Sequence, residues 1–201
     1  MVASGSIVVG LYVLGIFQFG FFHMIDYLFV LGAALYICLA RLKDPRINGL
    51  RLPVLYGSVG FSLCWVALEK LFFPELSMSV LEKLPVLPSL MPVGTILVVF
   101  AFVEFTLGYM LIINLFKREL SLFVSVIFFS TSTIFGKTEV AGHMLIHFCL
   151  LIFIIAGSGT VYRAPIEFYN KKVAKLLFVS LSFIGLFVGM GYLYCARTIG
   201  A

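Results

Sequence analysis

Charge is what this sequence is short of. Asp, Glu, Lys and Arg make up 11% of its 201 residues, where soluble domains carry about 25%. An ordinary water-soluble domain is excluded, because 62% of the chain is hydrophobic and mean hydropathy is +1.16. Paired cysteines are also missing. Cys38, Cys64, Cys149 and Cys195 are scattered without a CxxC, each inside or at the end of an apolar run, and read as small buried hydrophobes. No motif for a soluble redox cofactor is present. A basic n-region is absent ahead of the first apolar run, so that run is expected to be a span and not a cleavable signal. The net charge of +5 does not point to nucleic acid, because the basic residues sit in loops between apolar runs. No internal repeat stands out.

What remains is a chain of apolar runs, read as one transmembrane domain over 1–201. A helix needs roughly 20 apolar residues to cross a bilayer. Five runs fit: 52–73, 93–116, 119–136, 139–157 and 174–195. The run 6–40 is too long for one crossing and is interrupted by "HMID", His23 to Asp26. It is read as two spans, 6–22 and 25–40, for seven in all; one long tilted helix and six spans is the alternative. With seven, Arg41, Lys43, Arg46, Arg51, Lys117, Arg118, Arg163, Lys171, Lys172 and Lys175 share one side, against Lys70, Lys83, Lys137 and Arg197 on the other. That asymmetry predicts a cytoplasmic N-terminus. The external loop 74–92 opens with Pro74 and continues with an apolar face of Leu76, Val80, Leu81 and Leu84, which predicts a short interfacial helix. Gly185 and Gly189 give the last helix a GxxxG spacing. Such spacing serves close packing within a chain or a homo-oligomer contact.

Ionisable residues within spans are costly and carry functional weight. Counting from the helix starts puts Glu104 near the midplane, about 16 Å deep. Glu139, His143 and His147 follow at i, i+4 and i+8 on one helix face, descending from the external edge. Glu69 and Lys70 are placed near the depth of His143, and Glu104 near that of His147. Ser130 to Thr133 add hydroxyls, and His23 and Asp26 cap the same side. An outward-facing polar pocket narrowing to Glu104 and His147 is the expectation. The bland alternatives are a snorkelling Lys70, a solvated turn at His23 and Asp26, hydroxyls bonded to their own backbone and a buried Glu104–His147 hydrogen bond.

The segments "GSVGFSLCWVALEKLFFPE", "FVEFTLGYMLI" and "GKTEVAGHMLIH" resemble the DoxX/DoxD-like family of small membrane proteins over about residues 55–157. The resemblance implies a four-helix bundle core inside an all-α membrane protein, placed in a bacterial cytoplasmic (inner) membrane. It also implies quinone-linked redox chemistry as a subunit of a membrane oxidoreductase complex. Glu69, Lys70 and Glu104 match the family's charged positions; His143 and His147 come from the helical spacing alone. Three functions follow as expectations. The first is a redox-associated subunit taking a quinone or similar lipid-soluble ligand at Glu69, Lys70, Glu104, Glu139, His143 and His147, with Glu104 and His147 exchanging protons. The second is a transporter or sensor of a small ion, proton or transition metal, with His143, His147 and Glu104 as metal ligands. The third is a structural subunit whose polar cluster is satisfied internally. No span shows a mid-depth Pro or Gly break of the kind many secondary transporters use.

Overall fold

The run 6–40 breaks where its backbone must turn. A computed structural model, which describes residues 2–81, 91–157 and 165–199, places α1 over Val2–Phe19. Gly20 ends it with φ 87°, a conformation that glycine takes without strain. One helical turn follows, α2 (Phe21–Ile25), and then α3 (Leu28–Leu39), which packs back on α1. The expected split is therefore present, but the break begins at Gly20, ahead of His23. His23 and Met24 remain helical, because a polar side chain does not release the backbone as glycine does. The second piece is shorter than the 25–40 expected. Its 12 residues rise about 18 Å, against a hydrocarbon core about 30 Å thick.

A helix break away from water needs partners for its free backbone groups. Ser62 supplies two, donating to the Ile25 carbonyl (3.2 Å) and accepting from the Phe29 amide (3.2 Å). Tyr12 donates to the Met24 carbonyl at 2.6 Å.

The rest of the described chain is helical, with no strand among the described residues. It comprises α4 (Pro45–Gly49), α5 (Arg51–Phe72), α6 (Pro74–Leu81), α7 (Val93–Ile112), α8 (Lys117–Phe135), α9 (Lys137–Ala156), a 3-10 turn (Pro165–Phe168) and α10 (Lys172–Ile199). Asp44 caps α4 by accepting from the Arg46 amide at 2.8 Å. The helix expected at Pro74 forms; residues 82–90, which hold Leu84, Pro85 and Pro88, lie outside the described residues. Three stretches among the described residues are long and apolar enough to cross a membrane: Pro45–Phe72, Val93–Ile112 and Lys172–Ala196. Ala3–Phe19, Leu28–Leu39 and His143–Ala156 are shorter apolar helices. The chain is thus all-helical and suited to a membrane.

Helix α5 is the hub, packing against α3, α7, α9 and α10. Helices α5, α7, α8 and α9 close a ring, each touching the next. Leu55, Val59, Leu111, Val124, Leu150 and Phe153 fill it. Helix α5 meets α7 in backbone contact at Gly60 and Gly108. Helix α10 leans on the outside. Tyr194 anchors it among Trp65, Phe72 and Phe73, and Phe183 and Phe187 pack edge-on to Phe105. Much of its length stays exposed, including Val173, Leu176, Leu181, Ile184 and Val188. Neither Gly185 nor Gly189 has anything within 4 Å of where a Cβ would stand. Their GxxxG spacing therefore makes no packing contact among the described residues.

Candidate functional site

Antiparallel packing about Gly60 and Gly108 fixes the register of α5 on α7. Four residues on from Gly60, Cys64 meets the level of Glu104 and Phe105; its thiol donates to the Phe105 carbonyl at 3.4 Å. Lys70 lies six residues further along α5, about 9 Å from that level. Its side chain spans the gap, and Lys70 Nζ forms an ion pair and hydrogen bond with Glu104 Oε2. Both side chains are 22% exposed. Lys70 thus reaches inward along the helix and does not snorkel toward the helix end. A carboxylate held among apolar helices needs a polar partner, and Lys70 supplies it.

The expectation set Glu104 at the depth of His147, at the narrow end of one pocket; its hydrogen-bond partner is Lys70. The expectation measured depth from helix starts, which treats all helices as starting level. Helix α7 is instead positioned by its crossing with α5, and that crossing brings Glu104 within reach of Lys70. Glu69, one residue earlier, makes no ion pair with another described residue; its carbonyl accepts from the Phe73 amide at 2.8 Å.

His143 and His147 sit together on α9, against α8. The Phe128 ring lies 5.4 Å from the His143 ring and 6.4 Å from that of His147, and Phe129 lies 6.5 Å from His147. Both histidines are half-buried. They share a face, as their spacing requires, but that face meets aromatic rings. No three of His, Cys, Asp and Glu converge among the described residues in a way that could hold a metal ion. The Glu139 side chain lies outside the described residues. Ser130 and Thr133 donate to backbone carbonyls of their own helix, at Val126 (2.8 Å) and Ser130 (2.7 Å). At the α2 turn, His23 Nδ1 stands 3.8 Å from Asp26 Oδ2, with Asp26 the more buried of the two.

A second polar cluster, which the sequence did not announce, lies at the opposite end of α5. Lys117 is 1% exposed. Its ammonium donates to the Gly157 carbonyl at 3.0 Å and lies 4.1 Å from the centre of the Tyr56 ring. Arg118 donates to the Ile154 carbonyl at 2.9 Å. Both cap the C-terminus of α9, where carbonyls lack helical partners and the helix dipole favours cations. In the sequence they stand in a short turn and mark only the charge asymmetry. The signal that could have found them is local. The turn "INLFKR" closes with positive φ at Asn114 (57°) and Phe116 (48°), which tucks the start of α8 under the end of α9. Burial lowers the Lys117 amine from 10.5 to about 8.

No family model, curated protein or solved structure matches the chain.

Proposed function

We propose that this is an integral membrane protein of the DoxX-like type with seven crossings, α1 and the short α3 among them. Its N-terminus is cytoplasmic, and a bacterial inner membrane is its setting. Its function is that of a redox-associated subunit that takes a quinone or similar lipid-soluble head group at Lys70 and Glu104. The carrying observation is this half-buried ion pair between two apolar helices. A quinone carbonyl oxygen accepts a hydrogen bond from the Lys70 ammonium. Reduction of such a ring to the quinol takes two electrons and two protons; Glu104 would relay one proton to it, and the second would come from solvent. The electrons come from a partner subunit, since the chain carries no redox-cofactor motif. His143 and His147 form a separate face on α9 and are assigned a proton-carrying role at most.

The runner-up is a structural subunit of a larger complex. The same pair favours it, because Lys70 and Glu104 satisfy each other. Mass spectrometry of the protein purified with its native lipids and partners separates the two. Copurified quinone that is lost in Glu104→Gln and Lys70→Met supports the first reading. Quinone absent from the wild type, with both variants assembling normally into the complex, supports the second.

A further inference from the structure

The hairpin of α3 and α5 carries an apolar groove on its outer side. Leu28, Leu31, Gly32, Leu35, Val54 and Gly57 are among its walls, with Phe61 at one end and Pro53 at the other, around about 280 Å³. A Cβ on Gly57 would meet nothing within 4 Å, so that glycine leaves part of the groove floor open. The walls along α3, from Leu28 to Leu35, run about 10 Å. At the Pro53 end the chemistry changes abruptly. Arg51 is two residues from Pro53 and lies 5.8 Å from the centre of the Tyr36 ring, next in sequence to the groove residue Leu35. Beyond it, Arg41, Lys43 and Arg46 stand exposed with one acid, Asp44, whose carboxylate already accepts from a backbone amide. The loop is held in place: Asn48 Nδ2 donates to the carbonyls of Ala40 (3.1 Å) and Leu42 (3.3 Å), folding α4 onto the end of α3.

We propose that this groove and its basic rim form a binding site for an anionic phospholipid. One acyl chain lies between α3 and α5, and the phosphate lies against Lys43, Arg46 and Arg51. An apolar slot bounded by excess positive charge at one end matches the two ends of such a lipid, and clustered basic residues beside apolar helices select anionic headgroups over zwitterionic ones. The proposal requires the membrane setting but not the quinone, so failure of either leaves the other standing.

The test uses the full chain in detergent, stripped of lipid and titrated with phosphatidylglycerol or phosphatidylcholine of identical acyl chains, with bound lipid counted by native mass spectrometry. Phosphatidylglycerol should bind at least about tenfold more tightly. Lys43→Gln with Arg46→Gln, both on the exposed loop, should bring the two lipids close to equal. Gly57→Phe should reduce phosphatidylglycerol binding at least about tenfold while leaving the lipid-free melting temperature near the wild-type value. Equal binding of both lipids by the wild type would overturn the proposal, as would full preference in the double variant. Gly57→Phe that folds and still binds as the wild type does would overturn the groove's part in it. Should Gly57→Phe not fold, the double variant decides alone.

Discussion

Gly60 and Gly108 stand so close that neither could carry a side chain unchanged. A Cβ on Gly60 would lie 2.5 Å from the Gly108 carbonyl oxygen, and one on Gly108 would lie 2.6 Å from the Gly60 carbonyl oxygen. The obstacle on each side is backbone, so no rotamer change relieves it and the helices must part. Close backbone approach is a recognised route to helix association in lipid, where burial of apolar surface supplies little drive. Gly60→Ala and Gly108→Ala should each destabilise the protein by about 1–3 kcal/mol, read as a lower melting temperature in detergent. Gly185→Ala, with open space around it, should leave the melting temperature of the isolated chain unchanged. An equal loss from Gly185→Ala would contradict the packing described.

The Lys70–Glu104 pair should behave as a coupled unit. Glu104→Gln leaves an ammonium without its counterion, and Lys70→Met leaves a carboxylate without its cation. The two single losses should sum to more than the loss in the double replacement. Because the pair is only partly exposed, a coupling energy of about 1–3 kcal/mol is expected, above that of a surface pair. A double-mutant cycle on thermal or denaturant unfolding measures it, and additive losses would show that the two charges act independently.

How much of this was legible in the sequence depends on what kind of information each feature needs. Helical class, the break in 6–40 and the helix at Pro74 follow from hydropathy and local backbone chemistry, which the sequence states directly. The Gly60–Gly108 contact does not, because it involves one glycine from each of two helices, while the visible GxxxG of α10 makes no contact among the described residues. Glu104 stands out in the sequence as a carboxylate inside an apolar run, but its partner depends on how far two helices are offset along their axes. That offset is a tertiary quantity, and counting from helix ends gave His147 where the structure gives Lys70. Lys117 was hidden for a similar reason: a lysine in a short turn looks solvated until the neighbouring helix end is folded over it.

Burial of Lys117 gives the stability a pH dependence. Its amine is lowered from 10.5 to about 8 in the folded protein, so between these values the unfolded chain binds more protons than the folded one. Stability then rises with pH across that window and is flat, for this group, below it. The melting temperature of the wild type should increase from pH 7.5 to 9.5. Lys117→Met should lose that increase while Arg118 still holds the Ile154 carbonyl. A pH profile in the variant parallel to that of the wild type would show that another group titrates.

Tyr194 should decide whether α10 stays docked. It is fully buried, its ring centre lies 4.7 Å from that of Trp65 and 5.3 Å from that of Phe72, and little else on α10 is as deeply covered. Tyr109 adds a polar tie, with its hydroxyl 2.6 Å from Ser182 Oγ and 3.0 Å from the Val179 carbonyl it donates to. Tyr194→Ala should therefore cost about 3 kcal/mol and raise hydrogen exchange across α10 more than in α5 or α7. Tyr109→Phe should cost about 1 kcal/mol and affect chiefly the first half of α10. Uniform acceleration of exchange in all three helices after Tyr194→Ala would mean that α10 unfolds with the bundle and is no separate unit.

The histidine pair yields the last prediction. His143 and His147 lie on one face of α9, but that face meets Phe128 and Phe129, and no third ligand converges on them among the described residues. Two imidazoles beside phenyl rings form a poor transition-metal site, because no described side chain there offsets the metal charge or completes its coordination. Elemental analysis of the purified protein should find no transition metal at stoichiometric level, and His143→Ala should leave metal content unchanged. A stoichiometric metal lost in His143→Ala would restore metal handling as the function. It would also require ligands beyond the described side chains, of which Glu139, one turn before His143, is the first to replace.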